Sequence, residues 1–375
     1  MKTLKFSIST MTIVIVAAVL AVSAAFAAPD VPPGGFSQSD IFIGGQEGYA
    51  TYRIPALLLT PNGALLAICE ARKNGPSDAG DINLILKRSL DNGKTWSAPI
   101  LIWDDGVNTI GNPVPVADTA TGAVILVFTK NNDTVHVTRS EDDGLTWSAP
   151  EDITADVKLP GWEWYAAGPG HGIQLRSGRL LAPCDHTEKN VIYSHVIFSD
   201  DGGNTWKLGG SSGKYTDEAT AAELADGSVY LNSRSNHMKG MRAFAVSKDG
   251  GETFSDIRFE KAHIEPVCQA SVARFSLAAD GGRDRLLFSN PADRTRVKMT
   301  VKLSYDEARS WPVAKLVNLG KSGYSDLAAL PDGSIALLYE RGDVQYWEKI
   351  TFARFTLDWL TDGKDAGGAP RGEEN

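Results

Sequence analysis

Short runs of small and aliphatic residues recur along the chain, and a turn that contains glycine precedes each of them. Six of these turn glycines are spaced by about 54 residues: Gly63, Gly122, Gly178, Gly227, Gly282 and Gly333. No long segment shows helical periodicity, and about four short strands fit into each interval. The pattern therefore predicts an all-β protein built from six repeats of a four-stranded antiparallel unit.

A second repeat, independent of the first, reads Ser-x-Asp-x-Gly-x-Thr-Trp. It occurs at residues 89–96, 140–147 and 199–206, at 247–254 with phenylalanine last, and in degraded form at 304–311. The serine and aspartate can bond turn amides, the glycine allows a positive φ, and the aromatic residue covers the hairpin. We call this motif the Asp box and interpret it as a structural turn that marks the repeats and takes no part in catalysis.

Six four-stranded units arranged radially form a six-bladed β-propeller, which leaves only short and protected sheet edges. We expect segments 41–54 and 350–359 to complete one blade together and so to close the ring. The propeller domain is then expected to span residues 28–360. Residues 361–375, which are rich in glycine and charge, are expected to form a flexible tail.

The first 27 residues have the pattern of a signal peptide. Lys2 and Lys5 precede an apolar stretch, and residues 25–27 have the small-x-small form of a cleavage site. The apolar stretch is shorter than the ~20 residues of a spanning helix. We therefore expect a secreted monomer, periplasmic or extracellular, without stable membrane insertion after cleavage.

Charge and cysteine content exclude several classes of function. The net charge is −9 and no basic patch stands out, so a nucleic-acid partner is not expected. Three cysteines allow at most one disulfide, and Cys69 and Cys184 lie in apolar runs typical of core residues. Cysteine and histidine show no metal-ligand spacing. No cofactor or metal is therefore predicted, although a structural calcium ion stays open.

Polar residues beside the apolar runs are the candidates for chemistry. They are Arg53, Arg234, Arg294, Arg296, Tyr324, Glu223 and Asp78. Taken singly, each has a simpler explanation as a solvated ion pair, a core tyrosine or a turn former. In combination with the Asp boxes, these residues make the chain resemble bacterial exo-α-sialidases (neuraminidases) of the six-bladed, Asp-box type. The resemblance also rests on Tyr52-Arg53-Ile54-Pro55 and on residues 168–172 and 268–271, and it extends to Glu340.

The resemblance implies a binding site for the carboxylate of a sialic acid. Arg53, Arg234 and Arg296 correspond to the three arginines that bind this carboxylate, and Glu340 to the residue that orients the first arginine. Arg294 has the same strand parity as Arg296, so these two could exchange roles. Guanidinium groups suit the purpose because they present planar forks of donors and remain charged.

The resemblance also implies a catalytic set. Tyr324 corresponds to the nucleophile, Glu223 to the glutamate that activates it, and Asp78 to the acid/base; Arg72 would hold the sugar beside Asp78. Asn112 is a further candidate, for contact with the N-acyl group. A neutral phenol can approach the substrate carboxylate without like-charge repulsion, but its pKa of ~10 requires a nearby base. Sialidases are a known tyrosine-nucleophile exception among glycosidases.

The implied function is hydrolysis of terminal sialic acids, with retention, from sialylated glycans, glycoproteins or gangliosides. Two alternatives stay open from the residues alone. The Asp boxes alone would allow a catalytically silent propeller that binds glycans, although the set of Tyr324, Glu223, Asp78 and three arginines argues against it. A trans-sialidase would use the same chemistry and differ in how its acceptor subsite excludes water.

Overall fold

The apolar runs and glycine turns fold into 24 β-strands and two short α-helices within residues 33–365, the part of the chain that the computed structural model describes. The predicted signal peptide lies outside the described residues, as do residues 366–375. Within the described range, no helix has the length and apolarity needed to cross a membrane.

Four sheets each form one blade, and their strands follow one another in sequence. The first strand of the chain, β1 (Phe36–Ile43), belongs to none of these four. The first blade contains β2 (Thr51–Leu59), β3 (Leu65–Arg72), β4 (Ile82–Ser89) and β5 (Ile100–Trp103). The second contains β6 (Ile110–Ala117), β7 (Val124–Lys130), β8 (Thr134–Ser140) and β9 (Glu151–Asp152), followed by helix α1 (Thr154–Val157).

The third and fourth blades repeat this arrangement. The third contains β10 (Trp162–Ala167), the short β11 (Ile173–Gln174), β12 (Leu180–Glu188), β13 (Val191–Ser199) and β14 (Lys207–Lys214). The fourth contains β15 (Thr216–Glu223), β16 (Val229–Ser235), β17 (Met241–Ser247) and β18 (Arg258–Ile264). The first strands of the blades contact one another around the centre of the ring, as β2 contacts β6 and β15 contacts the next blade's first strand, β19 (Ser271–Ser276).

The last two blades share one long strand. Blade 5 contains β19, β20 (Arg285–Pro291), β21 (Val297–Ser304) and the first half of β22 (Val313–Ala329). Blade 6 contains the second half of β22, then β23 (Ser334–Gly342), β24 (Lys349–Thr356) and β1. Residues 313–321 of β22 pair with β21, and residues 321–329 pair with β23. The topology therefore gives six blades, and the predicted fold class is confirmed.

Strand β1 closes the ring by pairing antiparallel with β24. The closing segment is therefore residues 36–43 and not the predicted 41–54, because β2 of the first blade already begins at Thr51. Both faces of each blade are covered, and six apolar clusters fill the six gaps between neighbouring blades. This two-sided burial explains why the strands appear in the sequence as continuous apolar runs.

All five Asp boxes follow the third strand of a blade. In the first, the Ser89 hydroxyl accepts the Gly93 amide hydrogen at 2.8 Å, and Asp91 accepts from the amide and hydroxyl of Thr95 at 2.9 and 2.6 Å. A side chain at Gly93 would collide with the Phe352 ring. The degraded box keeps the same bonds around Ser304 and Asp306.

The chain end packs further than the sequence analysis predicted. Helix α2 (Leu357–Thr361) buries Leu360 and Thr361, and Asp365 accepts two hydrogen bonds from Arg285 at 2.7 and 2.8 Å. Residues 361–365 therefore belong to the packed domain, and the expected boundary at residue 360 is too early.

Candidate active site

Most of the predicted site residues, but not Glu223 or Arg294, converge on one rim of the propeller, where first and third strands begin and second strands end. Arg53 lies near the start of β2, Arg72 ends β3, Arg234 lies at the end of β16, and Arg296 immediately precedes β21. The Asp boxes lie on the opposite rim, because each follows the end of a third strand. Strand direction thus separates the structural turns from the candidate chemistry.

A cavity of about 330 Å³ opens on this rim. Its wall includes five of the predicted residues: Arg72, Asp78, Asn112, Arg234 and Tyr324. The volume lies within the range of about 300–1,000 Å³ that is usual for small-molecule sites. The cavity is therefore large enough to take one sugar.

Glu340, near the end of β23, holds the first arginine and the tyrosine in place. Its buried carboxylate accepts from Nε and Nη2 of Arg53 at 3.0 and 3.2 Å, and from the backbone amides of Ile54 and Tyr324 at 3.0 Å each. A Cβ at Gly323 would lie 2.2 Å from Glu340 Oε2, so glycine is required there. Glu340 therefore joins blade 1 to blade 6 through its contacts with Arg53 and with the backbone of Tyr324.

The Tyr324 hydroxyl donates its hydrogen to Glu218 Oε1. Arg234 Nη1 donates to Glu218 Oε2 at 2.9 Å and to the Tyr324 oxygen at 3.2 Å. Burial raises the pKa of Tyr324 well above its usual range, and Glu218 raises it further, whereas Arg234 and Arg296 act in the opposite direction. The phenol is consequently neutral at rest and already hydrogen-bonded to a group that can take its proton.

Glu223, which the sequence analysis placed next to the tyrosine, is the wrong glutamate. It ends β15 on the opposite rim, where its carboxylate accepts from the backbone amide and Nε of Arg176 at 2.8 and 3.2 Å. Glu218 lies five residues earlier on the same strand, a distance of about 16 Å along the strand.

Glu218 could have been found from strand direction. It stands near the start of a first strand, as Arg53 does, whereas Glu223 stands at the end of one. Sequence analysis also missed Asp217, whose carboxylate lies 3.3 Å from Arg234 Nε, and Tyr346. Tyr346 follows the end of β23 in a loop, and no pattern in the sequence marks it.

Arg296 and Arg53 both stand over the same two aromatic rings. The Arg296 guanidinium carbon is 5.5 Å from the centre of the Tyr324 ring and 4.7 Å from that of Tyr346. For Arg53 these distances are 5.2 and 5.3 Å. Arg294 is exposed and lies against Gly240. The geometry therefore places Arg296, and not Arg294, with Arg53 and Arg234 around Tyr324.

Asp78 lies at the mouth of the cavity, in the loop between β3 and β4. Its side chain is 72% exposed, and its Oδ1 accepts from Arg72 Nη1 at 2.7 Å and from Arg53 Nη1 at 3.1 Å. Partial burial raises the pKa of Asp78, but the charges of Arg72 and Arg53 outweigh it, so that the net pKa is lowered. Arg72 is in turn fixed by Glu70, with contacts of 2.9 and 2.5 Å.

Asn112 stands beside Arg72 in the cavity wall. Its backbone amide donates to Glu70 Oε1 at 2.9 Å, and its side-chain amide donates to Asn132 at 2.7 Å. A Cβ at the preceding Gly111 would lie 2.3 Å from Glu70 Oε1. Asn112 is therefore held rigidly within reach of the cavity.

Comparison with known proteins agrees with this architecture. Residues 63–337 match the family model described as a BNR repeat-like domain. A sialidase from Micromonospora viridifaciens is 36% identical over 372 residues, which cover 90% of this chain and 56% of that protein. An exo-alpha-sialidase from Aspergillus fumigatus is 32% identical over 364 residues, which cover 84% of this chain and 86% of that protein.

A solved structure extends the comparison. The Hadza microbial sialidase Hz136 superposes with a TM-score of 0.78 at 31% sequence identity, covering 86% of this chain and 69% of that one. The chain spans little more than half of the Micromonospora relative and most of the fungal one. From the match to the repeat model over most of its length and from these relatives, we conclude that the chain belongs to the sialidase family of BNR-repeat β-propellers.

Proposed function

We propose that this protein is a retaining exo-α-sialidase that removes terminal sialic acids from glycans, glycoproteins or gangliosides. One observation carries the proposal: a buried tyrosine is hydrogen-bonded to a glutamate and surrounded by three arginines. The relatives named sialidase or exo-alpha-sialidase support the substrate class. The signal-like pattern of the first 27 residues supports secretion.

The arginines provide the carboxylate site. Arg53, Arg234 and Arg296 approach Tyr324 from different blades, and each carries a permanent charge. Glu340 neutralises part of the charge of Arg53 and holds its guanidinium with two hydrogen bonds. A carboxylate bound between these arginines brings the attached anomeric carbon close to the Tyr324 oxygen.

In the first step, the Tyr324 oxygen forms a bond to the anomeric carbon as the glycosidic bond breaks. Glu218 takes the phenolic proton along the hydrogen bond that already joins them. Asp78 gives a proton to the departing oxygen. In the second step, Asp78 takes a proton from water, which attacks the same carbon as the bond to the Tyr324 oxygen breaks. Glu218 returns its proton to that oxygen, which restores the phenol. Two displacements at one carbon retain its configuration.

Asp78 must be protonated to act as the acid, although the arginines lower its pKa in the free protein. A substrate carboxylate bound to Arg53 and Arg296 would offset two of the charges that lower this pKa. Substrate binding therefore moves Asp78 toward the protonated form that the first step needs. This coupling links recognition of the carboxylate to protonation of the leaving group.

The test is release of a fluorescent phenol from its α-ketoside of N-acetylneuraminic acid, beside the matching arabinoside and galactoside. We expect turnover of the ketoside alone, with the α-anomer as the first sugar product by proton NMR. Added lactose should remain unsialylated, which separates hydrolysis from transfer. Turnover of the neutral glycosides, or of none of the three, would contradict the proposal.

A further inference from the structure

Asp185 is a buried carboxyl group in the cavity wall that the proposed mechanism does not use. It lies in the middle of β12, between Ala166 of β10 and Ser194 of β13. The residue is 1% exposed and lines the cavity. Neither of its carboxyl oxygens has a hydrogen-bond partner among residues 33–365. A buried polar group without a partner is unusual in a folded protein and calls for a functional explanation.

The surroundings of Asp185 disfavour a negative charge. Burial raises the pKa of Asp185 well above its usual range, and the carboxylates of Asp217 and Glu218 raise it further. Arg234 acts in the opposite direction, but its guanidinium already faces Asp217 and Glu218 at 3.3 and 2.9 Å. The Trp164 indole N–H also lowers the pKa as a nearby donor, but it does not reach hydrogen-bonding geometry with either carboxyl oxygen of Asp185. These surroundings favour the protonated form of Asp185, which carries one O–H donor.

We propose that Asp185 is a substrate-binding residue that donates its acid hydrogen to an uncharged oxygen on the bound sugar, away from the reacting carbon. The inference rests on the proposed sialidase function. Asp185 lies on the Arg234 and Glu218 side of the cavity, whereas Asp78 is held by Arg72 and Arg53. Its partner is therefore a substituent remote from the leaving group: a hydroxyl of the C7–C9 side chain or the carbonyl of the C5 N-acyl group.

A neutral acid suits this position better than a carboxylate. The substrate itself is an anion, so a negatively charged Asp185 in the wall would repel it. An acid hydroxyl supplies a strong donor without that repulsion, as protonated carboxylic acids do in other enzyme sites. The sugar oxygen would in turn satisfy a group that is otherwise buried without a partner.

Two variants of matched shape separate donation from packing. Asp185→Asn keeps the shape and a donor and cannot ionise, so its KM should remain within about 3-fold of the parent. Asp185→Leu keeps the approximate volume without a donor, so its KM should rise about 10-fold with kcat within about 3-fold. Thermal unfolding should show both variants folded; if the leucine variant is not, Asp185→Ala takes its place.

Two substrate analogues then identify the acceptor. One is the phenyl ketoside with its side chain shortened to C7, and the other carries a hydroxyl in place of the N-acyl group. The KM penalty of Asp185→Leu should disappear with the analogue that lacks the partner oxygen. An unchanged KM in Asp185→Leu, an equal rise in Asp185→Asn, or a penalty that persists with both analogues would overturn the inference.

A failure of the proposed sialidase function can be distinguished from a failure of the Asp185 inference. If the parent protein turns over no sialoside, the sialidase proposal fails, and calorimetric binding of N-acetylneuraminic acid to the same variants decides the inference. A dissociation constant about 10-fold weaker in Asp185→Leu and near-parental in Asp185→Asn would support it. Equal dissociation constants in all three proteins would exclude it.

Discussion

The hydroxyl of Tyr324 donates its hydrogen to the carboxylate of Glu218, although 106 positions separate the two residues in the chain. They lie on the first strands of blades 6 and 4, which reach the same rim. From the second strand of blade 4, Arg234 donates hydrogen bonds to the Tyr324 oxygen and to Glu218 Oε2. This triad defines which glutamate should matter for activity.

We predict that Glu218→Gln lowers kcat by about 10²–10⁴-fold, because the amide cannot take the Tyr324 proton. Glu223→Gln is the matched control: it lies on the same strand but on the opposite rim, and its kcat should stay within about 2-fold of the parent. Steady-state rates on the phenyl ketoside measure both. Similar losses in the two variants would reject Glu218 as the base.

Tyr324→Phe should reduce kcat at least about 10³-fold while the affinity for N-acetylneuraminic acid changes little. The carboxylate site remains because Glu340 binds Arg53 and the backbone amide of residue 324, not the phenol. Pre-steady-state rates and calorimetry provide the two measurements. Full activity in this variant would exclude Tyr324 as the nucleophile.

Asp78→Ala should affect substrates according to their leaving group. A sugar leaving group needs a proton, so turnover of sialyllactose should fall about 10²–10⁴-fold. An activated phenol leaves readily as its anion, so the first step with this substrate should lose much less. The ratio of the two rates, taken from bond cleavage in single turnovers, is the readout. An equal loss on both substrates would argue against an acid role for Asp78.

The pH dependence follows from the charges around Asp78. Its pKa is lowered, so the protonated form is scarce at neutral pH and kcat/KM on sialyllactose should fall as pH rises. Arg72→Gln removes a cation that favours the carboxylate, which raises the pKa of Asp78. The alkaline limb of the profile should therefore move to higher pH in this variant. A limb that stays in place or moves to lower pH would contradict this assignment.

The Asp boxes should affect stability and leave the chemistry unchanged. Hydrogen bonds from Thr205 and Ser199 lower the pKa of Asp201 to about 2. A lowered pKa stabilises the fold above the unfolded value of ~3.9, and this stabilisation is lost as pH falls through 2. Asp201→Asn should thus lower Tm by about 2 °C at pH 7 and less at about pH 3. Its kcat should equal that of the parent.

The repeats determined most of what the sequence could predict. Two independent periodicities predicted the blades, and residues beside apolar runs yielded Arg53, Arg234 and Tyr324. Glu223 was assigned as the partner of Tyr324 because the neighbouring motif does not show at which end of a strand a residue lies. Arg294 and Arg296 are two positions apart, so strand alternation cannot decide which of them faces the site. Only the conformation of the loop before β21 decides it. Asp185 directly follows an apolar run, and its isolation from partners is a property of the folded structure alone.

The strand that closes the ring belongs to the blade that carries Tyr324 and Glu340. Arg53 comes from the first blade, whereas Tyr324 and Glu340 come from the last, and β1 is the strand that completes this last blade. Loosening residues 36–43 should therefore weaken the last blade, and with it the Glu340 contacts that hold Arg53 beside Tyr324, without altering either side chain. The geometry of the proposed site thus depends on the closure of the ring, through a segment that lies outside the cavity wall.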